Sequence, residues 1–397
     1  MSVEPHIEIE NSAPPARSMP LNANFIVLAG ALTLLCVLGL IMVASASSVE
    51  SAQVYGSSWS MLQRQVLGMT VGAVGAYGFS KLSMKRMRVV SWPLMVISVA
   101  LLGYTLQYGI EVGGQKNWIR IPFGLQFQPS ELAKLALVLF CAHMIANNIA
   151  HVHSLFRTSA SIVFFSCIII GLVLLERDLG TPIILAGIAL SILFAGGLPM
   201  KWIGGMVGLG VLGVAALSLL PGKGYRVERF YAWLNPDADP QGFGYQILHG
   251  QYALASGGVF GNGLGQSVEK WGALPAAHTD FILSVIGEEL GLFGTLVVLF
   301  LLMVIVYTGF RIAEHSQDDF GRMVAFGVST WIAVQVMVNV GAIVRFLPIT
   351  GVPLPFVSYG GSSLAPTIAA VGLLLAIARN TGPRQRTARG VEDQEDF

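Results

Sequence analysis

Charge is what this 397-residue chain has least of. Only 11% of its residues are Asp, Glu, Lys or Arg, while 54% are hydrophobic. Soluble domains carry about 25% charged residues, so the chain lacks the means to cover a water-facing surface of its size. Cysteine is scarce as well. Cys36, Cys141 and Cys167 each fall inside an apolar run, and with no pair in a loop neither a disulfide framework nor a zinc site is suggested. The formal net charge is +1 and there is no basic arm or aromatic–basic platform, which gives no footing to nucleic acid. Residues 1–21 do not read as a secretory leader: they are acidic rather than basic, and the apolar run after them is too long. No sustained internal repeat is visible, which argues against a transporter built from inverted halves.

What the chain has in abundance is long apolar runs. The first, about Asn24 to Ala44, is long enough to span ~30 Å of hydrocarbon at 1.5 Å per residue. About ten such runs centre on 24–44, 62–80, 89–108, 130–147, 160–175, 179–198, 202–220, 281–310, 323–344 and 362–378. The expected fold is therefore an all-α polytopic membrane protein, with one transmembrane domain over 22–380 between disordered cytoplasmic tails at 1–21 and 381–397. Lysines and arginines of the short loops concentrate on one side: Lys81, Lys85, Arg86, Arg88, Arg157, Lys201, Arg311, Arg322 and Arg379. By the positive-inside rule that side is cytoplasmic, with both termini inside.

The outside then receives two loops, 109–129 and about 221–279, the longer one before the eighth span. It carries Lys223, Arg226, Arg229 and Lys270. A long loop escapes the charge bias on length alone; alternatively, its guanidinium groups hold phosphate or pyrophosphate oxygens in a bidentate fork. Gly68-x-x-x-Gly72 and Gly204-x-x-x-Gly208 lie in spans and suggest close helix packing. GGVFGNGLG (Gly257 to Gly265) resembles a dinucleotide loop only superficially, since it lacks the required spacing and strand–helix context.

Ionisable groups inside the runs stand out, because a charge at bilayer depth costs about 2.5–3.5 kcal/mol. In LPAAHTDFILSVIGEELGLFG (Leu274 to Gly294), His278, Thr279 and Asp280 stand where the long loop enters a helix, with Glu288 and Glu289 further in. Asp280, at the outer face, is the strongest catalytic candidate. An N-cap role, worth about 1 kcal/mol, explains an aspartate there but not its company. On a continuous helix Glu288 shares the Asp280 face and supports the same cavity, while Glu289 lies about 180° away and serves packing or hydrogen bonding. Glu131 and Lys134 share a face at the start of the fourth span. They either neutralise each other or present Lys134 to a bound anion. Asp178, in ERDLGTP, either caps the helix that begins near Thr181 or pairs with an arginine. Finally RFLPITGVPLPFVSYGGSS (Arg345 to Ser363), with three prolines and a cluster around Ser358, Gly360, Gly361 and Ser362, reads as a re-entrant segment walling the site.

These segments together resemble the SEDS family (shape, elongation, division and sporulation), polytopic glycosyltransferases that polymerise peptidoglycan from lipid II. The motifs are MVASASS, QPSELAK, YRVERFYAWLNPDADPQGFGYQ, LPAAHTDFILSVIGEELG and GVPLPFVSYGGSS. The glycine of SVIGEELG is similar to the cell-division branch (FtsW) rather than the elongation branch (RodA), which usually carries alanine. Two departures stand: the first outer loop reads GGQKNWIRI where the family usually has NGA-R-W-I, and Arg345 stands where glycine is common.

The resemblance implies that Asp280 is essential, acting as general base in an inverting transfer at the outer face of the cytoplasmic membrane, at the division septum. The substrate-binding candidates are Lys116, Trp118, Arg120, Lys134, Arg226, Arg229, His278, Thr279, Ser358, Gly360, Gly361 and Ser362, with Glu131, Asp178 and Glu288 as cavity support. No cofactor is required, though a divalent cation (Mg or Mn) at the leaving pyrophosphate is possible. The implied partners are a class B penicillin-binding protein (an FtsI-like transpeptidase) and other divisome membrane proteins. Two rival readings are a lipid II flippase and a scaffold that only recruits the transpeptidase.

Overall fold

A segment in hydrocarbon must satisfy its own backbone amides, and a helix does so locally. The computed structural model describes residues 23–380 except 113, 123–124, 149–151, 219–223 and 243; the two expected tails lie outside the described residues. The helices are α1 (Ala23–Ala46), α2 (Ser48–Tyr55), α3 (Ser60–Lys81), α4 (Met84–Tyr108), α5 (Pro129–Asn148), α6 (Val152–Leu175), α7 (Gly180–Ala195), α8 (Met200–Ser218), α9 (Gly224–Leu234), α10 (Tyr245–Ser256), α11 (Ile282–His315), α12 (Asp319–Ile343) and α13 (Gly361–Asn380).

Each expected span falls on one helix: α1, α3 to α8, and α11 to α13. Seven of these, α1, α4, α5, α6, α11, α12 and α13, are long and apolar enough to cross a membrane, while α7 and part of α8 are shorter apolar helices. The exception, α3, begins SMLQRQ and turns Arg64 and Gln65 toward the protein interior. The centre is held by α5 and α12, buried over most of their lengths. On the face bearing the basic short loops, Arg88 of α4 pairs at 2.7 Å with Asp318, which also caps α12 through the Gly321 amide.

Glycine brings α3 against α13. A Cβ on Gly68 would strike the Gly361 backbone, and one on Gly72 would stand 2.9 Å from the Ile368 Cβ. Gly204 and Gly208 do not follow the same expectation: on α8 both face open space, with nothing described within 4 Å. Spacing alone marks a surface that permits close approach, and α8 brings no helix there.

The loops depart from an all-α description. Residues 110–127 form a three-stranded antiparallel sheet, β1 (Ile110–Val112), β2 (Gln115–Ile121) and β3 (Leu125–Phe127), with Ile110 opposite Trp118 and Ile119 opposite Phe127. The alternation in QKNWIRI is a strand pattern, and Gly114 at φ 79 turns the first hairpin. The long loop before α11 is likewise not open coil, because α9 and α10 lie within it.

Candidate active site

The chain enters α11 through a turn in which the amides of Thr279 and Phe281 both donate to the Ala276 carbonyl. The N-cap position falls to Phe281 rather than Asp280. This turn is stitched to the proline-rich segment by short bonds: the Tyr359 amide donates to the His278 carbonyl at 2.9 Å, and Ser358 Oγ to the Thr279 carbonyl at 2.7 Å. From α12, Asn339 Nδ2 donates to the Asp280 carbonyl and to the Val352 carbonyl, both at 2.8 Å. The turn that carries Asp280 is thus held by three bonds from two segments, which fixes the carboxylate's position as a chemical role would require. Beside it lies Gly351, whose φ of 75° suits glycine; a Cβ there would stand 3.5 Å from Asp280 Oδ2.

Asp280 lines a cavity of about 910 Å³. Lys134 and Glu131 stand on its α5 wall, 2.8 Å apart and 1% and 3% exposed. Lys134 Nζ also reaches Gln335 Oε1 at 3.3 Å and lies 5.0 Å above the Trp331 ring. Asp178 lines the cavity while capping α7, accepting from the Gly180 and Thr181 amides and from Thr181 Oγ1. Trp118, His278, Thr279, Gly360, Gly361 and Ser362 complete the expected residues found there.

Several lining residues carry no mark in the sequence. Glu50 of α2 stands 3.0 Å from His278 Nδ1, and the imidazole beside it holds its carboxyl below the ordinary value. Arg64 lies 4.2 Å above the Tyr55 ring and donates to Tyr55 Oη at 3.1 Å; among the described residues no carboxylate pairs with it. Gln65 grips the opposite loop, donating to the Ser358 carbonyl and accepting from the Gly360 amide. Below these groups the cavity continues between apolar side chains of α3, α4 and α13, from Leu67 and Val71 down to Phe79, Val90 and Ala369. From Arg64 to Phe79 that path runs roughly 22 Å along α3.

Four expected site residues are not on the cavity. Lys116 Nζ donates to the Leu106 and Gln107 carbonyls and so caps the end of α4. Arg120 is exposed on the sheet. Ser358 is buried between the two stitched segments, its hydroxyl occupied at both ends. Glu288 points into the loop before α11, accepting from Ser267 Oγ at 2.5 Å and the Val268 amide at 2.7 Å. The assumption of one continuous helix misplaces it, because the turn before Ile282 resets the rotation. Glu289 is bonded as expected: it pairs with Lys270 at 2.8 Å and accepts from Ser45 Oγ at 2.7 Å. Arg226 and Arg229 fall on α9, at positions whose side chains lie outside the described residues.

A further buried carboxyl, Glu176, lies beyond the cavity wall in the turn between α6 and α7. Among the described residues neither of its carboxyl oxygens has a hydrogen-bond partner, and burial, then the nearby Asp178, pushes its pKa up to about 8. The described residues include no group of three or more His, Cys, Asp or Glu side chains arranged for a metal ion.

Comparison with known proteins gives concordant matches. The FtsW, RodA and SpoVE model, described as cell cycle protein, matches residues 26–382. A probable peptidoglycan glycosyltransferase FtsW of Mycobacterium tuberculosis is 39% identical over 363 residues, 91% of this chain and 68% of that protein. The stage V sporulation protein E of Bacillus subtilis is 38% identical, over 87% of this chain and 94% of its own. Among solved structures, a chain of a peptidoglycan synthase complex described as coordinating polymerization and crosslinking superposes with a TM-score of 0.72. It is 29% identical, covering 90% of this chain and 98% of that one. The rod shape determining protein RodA of Thermus thermophilus gives a TM-score of 0.66 at 28% identity, covering 90% and 97%.

Proposed function

We propose, from the premise that this chain belongs to the FtsW, RodA and SpoVE family, a mechanism for a membrane-embedded peptidoglycan glycosyltransferase. Identities of 35–39% to FtsW and sporulation relatives, against 28% to RodA, favour the division branch over the elongation branch. The substrate is lipid II, a disaccharide-peptide joined through diphosphate to a polyprenyl chain. Its apolar and anionic parts need different surroundings, and the cavity offers both. The observation that carries the reading is this continuity of Asp280, the buried Lys134 and Arg64 with an apolar groove along α3. In the proposed orientation, both termini are cytoplasmic and Asp280 is at the outer face.

Asp280 acts as general base. It takes the proton from the acceptor 4-hydroxyl as that oxygen attacks the anomeric carbon, the C–O bond to the diphosphate breaks, and the configuration inverts. The same division of labour activates water in inverting glycoside hydrolysis. The departing diphosphate needs cations rather than a proton. Arg64 has no described carboxylate partner, and Lys134 can turn part of its charge from Glu131 to a phosphate oxygen. A divalent cation, where one takes part, would be held by the diphosphate itself and would offset its charge as it leaves. Arg226 and Arg229 remain further candidates for that contact. The partner is proposed to be a class B penicillin-binding protein acting with other division proteins at the septum.

The test is a polymerisation assay with purified protein and lipid II, with and without the cognate transpeptidase. Wild type should give glycan chains and Asp280→Asn none. Full polymerisation by a well-folded Asp280→Asn protein would sink the assignment. Movement of lipid II across vesicles with no polymer formed would favour the flippase.

A further inference from the structure

The glycine-rich stretch Gly257–Gly265 has no part in this chemistry, yet it is closely fitted to α11. The amides of Asn262 and Gly263 donate to the carbonyls of Glu288 and Glu289 at 2.9 and 3.0 Å. In return the amides of Leu292 and Phe293 donate to the carbonyls of Gly258 and Val259 at 3.0 and 3.1 Å. The exchange occurs where α11 breaks, at Gly291 with φ 69 and ψ −168. The break deprives those two amides of acceptors in their own helix, and the loop supplies them. A Cβ on Gly257 or Gly261 would strike the α11 backbone, so the backbone side of the stretch is fully engaged.

Its few side chains face outward. Phe260 is 84% exposed, and Val259 and Leu264 are each 56% exposed. No ionisable residue occurs from Leu254 to Val268. Next to this tip, the exposed face of α11 runs Leu292, Leu296, Phe300, Met303 and Tyr307, a stripe at helical spacing. The first charge after the break is Arg311. Twenty residues of helix above it span about 30 Å, the thickness of the hydrocarbon core. A bilayer with one edge at Arg311 has its other edge at Gly291, level with Val259 and Phe260.

We infer that Gly257–Gly265 is an interfacial lipid anchor, its tip lying at the headgroup–hydrocarbon boundary with Phe260 and Leu264 against acyl chains. The lipid is favoured as occupant because the tip continues the lipid-facing stripe of α11 at its upper edge, and because it lacks the charged rim of a protein contact. The anchor is independent of the reaction assigned above. Its mechanical effect is to hold the outer segment of α11, and with it the Asp280 turn, at a fixed height over the bilayer.

The test is nitroxide labelling of Phe260→Cys in a Cys167→Ala background, Cys36 and Cys141 being buried. The full chain is placed in phospholipid nanodiscs, and power saturation is compared with oxygen and with a water-soluble nickel chelate. Oxygen should broaden the signal several-fold more than nickel, giving a depth within one helical turn of a label at Phe293→Cys. Dominant nickel accessibility would overturn the anchor by placing the tip in water. Poor accessibility to both reagents would also overturn it, by showing that protein covers the tip.

Discussion

At the scale of single residues, burial of charge separates the groups that matter from those that decorate the surface. Lys134→Met leaves Glu131 buried without its cation, a defect that costs about 3–5 kcal/mol. Thermal unfolding in detergent should show that loss, and the double change Lys134→Met with Glu131→Leu should recover most of it. Polymerisation should stay lost in the double variant if Lys134 also meets the diphosphate; its return would reduce the pair to a structural role. Arg64→Gln removes the one described lining arginine, and a charge-assisted hydrogen bond is worth about 1.5–3 kcal/mol. The KM for lipid II should therefore rise roughly tenfold or more with expression unchanged, read from initial polymerisation rates.

Glu176 gives the pH dependence. Its folded-state pKa of about 8 stands above the ordinary carboxyl value of 4.5, so the folded form keeps a proton that the unfolded form releases. Stability therefore falls as pH rises from about 4.5 to about 8 and levels off above. Glu176→Gln should flatten that slope in Tm measured between those limits, and equal slopes would contradict a buried neutral carboxyl. Asp280, Glu131 and Lys134 were legible in the sequence because each interrupts an apolar run. Arg64 was not: an arginine in the first turn of a span usually snorkels to the interface, and nothing local distinguishes one turned inward.

At the scale of elements, the apolar runs fell on the helices because their length and composition admit few alternatives. What stayed hidden was where a helix is interrupted by a distant partner. Gly291 sits in an apolar run that reads as unbroken helix, and the carbonyls that replace its missing bonds belong to residues 258 and 259. Position 345 is similar. Arg345 has φ 63, a left-handed conformation that suits the glycine common in the family, and here its guanidinium repays the strain. It donates to the Trp233 and Leu234 carbonyls at 3.1 and 2.8 Å, while Trp233 Nε1 donates back to the Arg345 carbonyl. The end of α9 is thereby clasped to the segment after α12. Gly291→Ala places a side chain in a positive-φ, extended-ψ conformation that is essentially glycine's alone, costing about 1–3 kcal/mol, and drives its Cβ into the Gly261 amide and the Val259 carbonyl. A lower Tm with intact membrane insertion is expected from thermal scans.

At the scale of the whole molecule, the Asp280 cavity is a meeting of distant chain segments, and no local pattern announces it. Its walls come from α2, α3, α5, the sheet, the Asp280 turn and the proline-rich segment. The crossing of Gly68 over Gly361 holds one wall shut. Gly68→Leu should separate α3 from α13, lowering stability and abolishing polymerisation, while the same change at Gly204, which faces open space, should leave both close to wild type. A loss at both positions alike, followed by thermal scans and polymer yield, would remove the distinction between the two glycine pairs. The basic short loops, by contrast, were legible from the sequence, and Arg88 and Asp318 meet on the face that bears them.

The backbone exchange around Gly291 bears on how the chain is made. The amides of Leu292 and Phe293 cannot be left bare in lipid, where each unmet group costs several kcal/mol. Their acceptors lie in the loop that precedes α11, so that loop is synthesised before the helix needs it. Residues 258 and 259 thus supply, from earlier in the chain, the acceptors that α11 cannot give itself.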